Sequence, residues 1–356
     1  MQTKTNVLIV SPYGPETNTG NWHTAQRYAR FLEQGGFGVQ VAIEALTPEQ
    51  LRQTDVALVL HARRSWTAAQ TLAKAGRPFA VVLTGTDLYA DLQLPGTQAY
   101  RECCQTIESA RLVVGLQSRA MERLLEILPE TLHKRRVIPQ TVAPLSPSDW
   151  ARPFDDQAPV GFQGFQGFQG LQWLISGHVR SEKDPLTGLA GFRRAFPDGR
   201  LATGAATSLT HVGGARDPLA VEALVHEAQR APAGHIRLLG ARPHHEAVGL
   251  MQSHHCLIQP SRMEGGALVV SEAAAHRLPI LASRVDGHLG LLGEDYPGYF
   301  EAGQPDDLAK RMRQFANDAG YRAALLDALV TNTPALLQPQ LEQTQLKSLI
   351  ERLRQP

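Results

Sequence analysis

An α/β protein of two doubly wound, Rossmann-like domains facing a central cleft is the fold class that this sequence predicts, on three observations. Short apolar runs alternate with amphipathic segments along most of the chain, the pattern of a parallel sheet covered on both faces. At 356 residues the chain exceeds the usual reach of a single hydrophobic core. The alternation breaks once, in a stretch rich in proline and glycine, and then resumes.

In the first half the apolar runs predict strands at 6–10, 38–43, 56–61, 79–84, 111–115 and 136–139. Apolar residues at helical spacing fall between them, at 22–34, 64–75, 98–109 and 118–128. Residues 143–159 are proline-rich and predict a linker, which continues into a Gly161-Phe-Gln triplet repeated three times up to Gly170. Glycine at every third position opposes regular packing, so the repeat is expected to be an expanded linker, too short and too poor in proline for collagen. Beyond it, strands are expected at 172–176, 236–239, 256–259 and 279–282. Helices are expected at 185–195, 218–229, 244–253, 267–276 and 305–318, with a helical tail at 338–354. The predicted organisation is an amino-terminal domain at 1–150, a linker at 151–170, a second domain at 171–335 and a tail at 336–356. Ligands in such sheets bind at the carboxyl ends of the strands.

Composition narrows the function. The chain is 43% hydrophobic and 19% charged with a net charge of +1, which argues against nucleic acid or an anionic membrane as the main partner. Cys103, Cys104 and Cys256 make no metal or redox spacing and fit free thiols in a reducing cytosol. No apolar run approaches the length of a membrane span, and the first residues lead into a strand without a signal-peptide segment. A cytoplasmic protein without stable membrane association is expected.

The most informative stretch is Glu264-Gly-Gly-Ala-Leu-Val-Val-Ser-Glu272, preceded by Pro260-Ser261 and followed by Leu278-Pro279. A turn over 261–266 with a helix opening at Ala267 would place the two acids about two turns apart on one face. Glu264 would then sit just before a helix amino terminus, where free N–H groups favour an anion, and Gly265 and Gly266 would let a phosphate approach.

Read with its neighbours, this stretch resembles the retaining GT-B glycosyltransferases of family 4. Ser176-Gly-His-Val-Arg-Ser-Glu-Lys183, Leu238-Leu-Gly240 with His245-Glu246, Glu264 to Glu272, and Ser283-Arg-Val-Asp-Gly287 follow in the family's order, and Val137-Ile-Pro139 resembles the last strand of its acceptor domain. In the first half, Gly20-Asn-Trp-His-Thr-Ala25, Leu60-His-Ala-Arg-Arg-Ser65 and Leu83-Thr-Gly-Thr-Asp-Leu-Tyr89 resemble the selenosugar synthases within that family. Gly290-Leu-Leu-Gly-Glu-Asp-Tyr-Pro-Gly-Tyr299 does so as well. The resemblance implies a UDP-sugar donor carrying GlcNAc or glucose, and selenophosphate as acceptor. The product would be a 1-selenosugar, passed to a selenoneine synthase as pathway partner. It implies no metal or other cofactor.

By the same resemblance, Lys183 stands where the family's phosphate-binding lysine sits. The family's arginine would follow Gly177, but His178 stands there and Arg180 lies two positions on, so Arg180 with Lys183 is expected to meet the diphosphate. Glu272 is expected on the ribose hydroxyls and Glu264 on the donor sugar, with Gly265, Gly266 and Ala267 offering N–H groups. Gly20 and Asn21 are expected to face the diphosphate. A small, multiply charged acceptor needs fixed cations, and His61, Arg63 and Arg64 follow a predicted strand end. Trp22, His23 and Arg27, with Thr84, Gly85, Thr86 and Asp87, complete the expected acceptor pocket. The competing readings are a family 4 enzyme with an ordinary hydroxyl acceptor, and a nucleotide-sugar binder without turnover.

Other signals carry less. His244-His245 and His254-His255 lack a carboxylate or cysteine completing a metal spacing, and are expected to be structural or base-lining. Asp155-Asp156 lies in the linker. The basic run His133-Lys-Arg-Arg136 is expected to be a solvated face.

Overall fold

The computed structural model describes residues 4–17, 19–43, 45–151 and 170–355. Asp155-Asp156 and the Gly-Phe-Gln repeat before Gly170 lie outside the described residues. The chain forms two compact units. One comprises Met1–Thr141, Glu264–Leu268 and Gln338–Pro356; the other comprises Val142–Met263 and Val269–Leu337.

The first unit holds a parallel sheet of β1 (Asn6–Ser11), β2 (Gly38–Ile43), β3 (Val56–Leu60), β4 (Phe79–Val82), β5 (Leu112–Gly115) and β6 (Arg135–Val137), in the order β2-β1-β3-β4-β5-β6. Side chains alternate across a strand, so β1 sends Leu8 and Val10 into one core and Val7 and Ile9 into another. The first core is covered by helices Trp66–Lys74, Gln98–Ser109 and Ser118–Ile127, through Leu72, Ile107 and Leu124. The second lies under helix Gly20–Gln34, through Tyr28, Phe31 and Leu32. Helix Pro339–Arg354, expected as a tail, adds Leu346, Leu349, Ile350 and Leu353 to that same core. The helices after β1 and β3 thus leave toward opposite faces, which opens a switch point between these two strand ends.

The second unit holds β7 (Gly170–Ser176), β8 (Ala206–Val212), β9 (Ile236–Leu238), β10 (Cys256–Gln259), β11 (Ile280–Ser283) and β12 (Tyr299–Phe300), all parallel, in the order β12-β11-β10-β7-β8-β9. Its switch point lies between β7 and β10. Trp173 of β7 is fully buried, with ring centroids 6.0 Å from Phe196 and 5.2 Å from Phe315, and its indole N–H donates to Thr207 Oγ1 at 3.0 Å. Burying such a ring contributes on the order of 3 kcal/mol.

Among the described residues, β8, β12 and helices Pro48–Gln53, Thr86–Tyr89, Asp286–Leu292 and Ala319–Asn332 are additional to the expected strands and α-helices. Strand β8 is polar in sequence, yet Thr207, Ser208, Thr210 and His211 are all buried. Thr207 donates to the Leu171 carbonyl, and Thr210 accepts from Arg237 and meets His254 Nε2 at 3.0 Å. These bonds offset the cost of burying the hydroxyls.

Candidate functional site

At the end of β7 the chain turns through Gly177, His178, Arg180 and Lys183 before helix Pro185–Ala195. The Arg180 carbonyl accepts the N–H groups of Lys183 and Asp184, and Val179 pairs with the strand end at Gly214. Asp184 closes the turn in a left-handed conformation, φ 42°, and its carboxylate accepts from Thr187 N–H and Oγ1. Arg262, on the loop after β10, binds that carboxylate at 2.9 Å and donates its N–H to the Glu182 carbonyl. The sequence reading missed both residues; they tie together the two loops at the switch point.

Within this turn, His178 Nδ1 accepts the Gly214 N–H at 3.1 Å, so a neutral ring carries its proton on Nε2. Arg180 Nε is buried and has no hydrogen-bond partner among the described residues. An unmatched buried guanidinium N–H is costly, and an anionic oxygen would satisfy it. Lys183 is half-buried beside Gly177.

Glu264 is buried, in the segment that belongs to the first unit. A Cβ on Gly265 would collide with the Thr84 carbonyl and the Gly85 N–H, and one on Gly266 with the Leu116 side chain. The protein's own packing therefore requires glycine at both positions, a reason beyond the access for phosphate expected from the sequence. Ala267 is buried and helix Leu268–Ala275 follows. Glu272 lies on that helix in the second unit, nearly buried, and accepts from His244 Nε2 at 3.0 Å.

In the first unit, Asp87 is fully buried and accepts four kinds of backbone N–H: Ala62 from the loop after β3, and Thr84, Gly85 and Leu88 around its own turn. The carboxylate has no exposed edge for a ligand. It acts by fixing the two loops against each other. His61 is 1% exposed and sits at φ 68°, a conformation that costs a β-carbon residue about 1–2 kcal/mol. Its Nδ1 accepts the Arg64 N–H at 3.3 Å, so Nε2 carries the proton and donates to Thr86 Oγ1 at 2.8 Å.

Next to this network an open groove of about 440 Å³ is lined by Pro12, Tyr13, Arg63, Arg64 and Glu102. It lies at the β1/β3 switch point. Arg63 is paired with Asp91 at 3.0 Å and with Glu102 at 3.8 Å. Arg64 is exposed, and its guanidinium stands 5.2 Å over the Tyr13 ring. The two adjacent arginines thus differ: one is neutralised by carboxylates and the other is held by an aromatic face.

The remaining expected residues lie on helix Gly20–Gln34, whose amino terminus Thr19 caps by accepting the Trp22 N–H. A Cβ on Gly20 would meet open space, and Asn21, Trp22 and His23 are half-buried on the first turn. Arg27 faces away from the groove's arginines in its bonding: it donates to the Thr141 carbonyl and pairs with Glu342 at 3.8 Å. Its side chain is 12% exposed, and these bonds hold the carboxyl-terminal helix to the sheet.

Comparison with known proteins bears on the fold. Residues 191–328 match the family described as glycosyl transferases group 1. A 92-residue stretch is 33% identical to an uncharacterised glycosyltransferase of Methanocaldococcus jannaschii, covering 26% of this chain and 26% of that protein's length. The fold is shared with sucrose-phosphate synthase of Thermosynechococcus elongatus (TM-score 0.72, 16% identity, 98% of this chain and 99% of that one). It is shared equally with Anabaena HepE solved with UDP and glucose (0.70, 13%, 98% of each). A trehalose-phosphate synthase of Burkholderia xenovorans, solved with glucose-6-phosphate, gives 0.70 at 11% identity over 99% of this chain and all of the other. At these identities the likeness establishes the fold, which is GT-B.

Proposed function

From a GT-B fold that carries the group 1 glycosyltransferase signature over residues 191–328, we infer that this chain transfers a sugar from a UDP-sugar to selenophosphate, forming a 1-selenosugar. The observation that carries the acceptor half of this reading is the groove at the β1/β3 switch point. It offers an exposed guanidinium, Arg64, unpaired with any carboxylate among the described residues and held over Tyr13. A small, multiply charged nucleophile needs such a fixed cation rather than an apolar wall.

On the donor side, negative charge grows on the diphosphate as the glycosidic bond breaks. Donors fixed where that charge develops lower the barrier more than they strengthen ground-state binding. Arg180, with its unmatched buried Nε, and Lys183 take that role, with His178 contributing Nε2–H in place of the family's arginine. Glu272 takes the ribose hydroxyls and Glu264 those of the donor sugar. Selenium attacks the anomeric carbon, the bond to the diphosphate oxygen breaks, and UDP leaves with the electron pair. The selenium nucleophile is already anionic near neutral pH, so no catalytic base is required. Attack of water on phosphorus would then break the Se–P bond, releasing inorganic phosphate and freeing the selenosugar for a selenoneine-forming partner.

A second reading has its own support. Glu102 lines the groove and Arg63 is already neutralised, an arrangement that tolerates a neutral hydroxyl acceptor. The deciding experiment is an anaerobic reaction of the purified protein with selenophosphate and a panel of UDP-sugars, read by mass spectrometry. A selenium isotope pattern on a hexose or N-acetylhexosamine mass, with UDP released in step, is expected. UDP-sugar hydrolysis or transfer to a hydroxyl compound without a selenium product would overturn the selenophosphate assignment.

A further inference from the structure

We propose that His244 is a positioning residue that sets the nucleoside specificity of the site by orienting the Glu272 carboxylate. The inference rests on the nucleotide-sugar reading above and adds to it a residue which that reading does not use. Glu272 projects from helix Leu268–Ala275, its side chain 8% exposed. His244 opens helix His244–Gly249, beyond the end of β9, and is 46% exposed. The two meet at 3.0 Å, from His244 Nε2 to Glu272 Oε1. A carboxylate only accepts, so the ring donates through Nε2–H. Among the described residues no hydrogen bond is made to Oε2.

This geometry divides the carboxylate into a fixed oxygen and an available one. A nearly buried glutamate with neither oxygen fixed would sample several rotamers, and any hydroxyl it bound would have to order it. With Oε1 held by His244, Oε2 has a defined direction before ligand arrives. A vicinal diol is then recognised by a pre-oriented acceptor, and a nucleotide lacking those hydroxyls leaves Oε2 desolvated and unmatched. Pro243 is the N-cap of this short helix, and His244, its first residue, meets Glu272. The adjacent His245 and Glu246 are exposed, and it is His244 that meets the carboxylate.

The test uses the full-length protein and compares equilibrium binding of UDP with that of 2′,3′-dideoxy-UDP. Wild-type protein is expected to prefer UDP by tenfold or more. His244→Ala is expected to lose most of that preference, with UDP binding weakened and dideoxy-UDP binding unchanged. His244→Gln, whose amide N–H can also donate to Oε1, is expected to recover it. An unchanged preference in His244→Ala would overturn the proposal, as would equal weakening of both nucleotides, which marks a structural role. Glu272→Gln serves as the reference: if wild-type and Glu272→Gln proteins bind UDP and dideoxy-UDP alike, the ribose role of Glu272 fails, and the proposal with it. Sugar transfer with release of UDP that persists in that case would leave the glycosyltransferase reading standing.

Discussion

His61 and Thr86 are joined by a 2.8 Å hydrogen bond that spans the loops after β3 and β4. The ring is buried in a left-handed conformation and its other nitrogen accepts the Arg64 N–H, so it links the hydroxyl on one loop to the arginine pair on the other. Asp87 fixes the same two loops from beneath. Strain of this kind persists only where surrounding bonds over-determine it, and it is concentrated at the strand ends where this fold binds ligands.

His61→Asn is therefore expected to fold with nearly wild-type stability, because asparagine visits the left-handed region more readily than other side chains. Its shorter amide loses the bond to Thr86, and transfer to the acceptor is expected to slow about tenfold, the equivalent of ~1.4 kcal/mol. His61→Ala should slow the reaction similarly and unfold at lower temperature. Full activity in a folded His61→Asn protein would show that Thr86 needs no such support.

Arg63 and Arg64 are neighbours in sequence with opposite fates. Arg64→Ala is expected to raise the Michaelis constant for selenophosphate at least tenfold and leave that for the UDP-sugar within about twofold. Arg63→Ala releases Asp91 and Glu102 beside the groove. The expected result is a loss of stability of about 1 kcal/mol, with a smaller effect on the acceptor than Arg64→Ala produces. If Arg63 were the stronger determinant in steady-state kinetics, the anion would sit on the paired cation of the groove, and the acceptor role of Arg64 would fall.

Lys183→Ala removes one charge from the turn after β7 and should lower kcat by tens- to hundreds-fold, about 3 kcal/mol for one transition-state donor. Arg180→Ala should act in the same step. Unchanged single-turnover rates in the folded Lys183→Ala protein would take the lysine out of the chemistry.

Much of this was legible in the sequence because strand ends are. Runs such as Val56–Leu60 and Phe79–Val82, buried on both faces, are continuous apolar segments, and the loops that follow them carry the candidate groups. Strand Ala206–Val212 was illegible for the opposite reason: the hydroxyls of Thr207 and Thr210 are satisfied by Trp173, His254 and Arg237, which no local pattern reveals. Helix Asp286–Leu292 is interrupted by Gly287 and Gly290, and its helical period is masked. The partners that decide each arginine's role lie far off in the chain: Asp91 is 28 residues from Arg63, and Thr141, whose carbonyl accepts from Arg27, is 114 residues from that arginine. Spacing locates a loop; it does not say which cation is already neutralised.

The last expectation concerns stability and pH. His211 and His254 are 1% and 0% exposed and His255 is half-buried, and burial depresses all three rings from 6.5 to about 4. Above pH 6.5 the rings are neutral in the folded and unfolded chain alike. As the pH falls toward 4 the unfolded chain takes up protons first, so the folded state loses about 2 kcal/mol per histidine between pH 7 and 5. Below pH 4 both states are protonated and this loss ends. Glu342 acts in the opposite direction, since burial raises its carboxyl and the folded state holds that proton more tightly at low pH. One raised carboxyl does not offset three depressed imidazoles, so the net slope is expected to be positive. Urea unfolding followed by tryptophan fluorescence should show a lower midpoint at pH 5 than at pH 7. His254→Gln, which can keep the bonds to the Leu250 carbonyl or Thr210 without titrating, should flatten that slope by about a third. A midpoint independent of pH in the wild-type protein would mean that the buried rings are matched by protonation elsewhere.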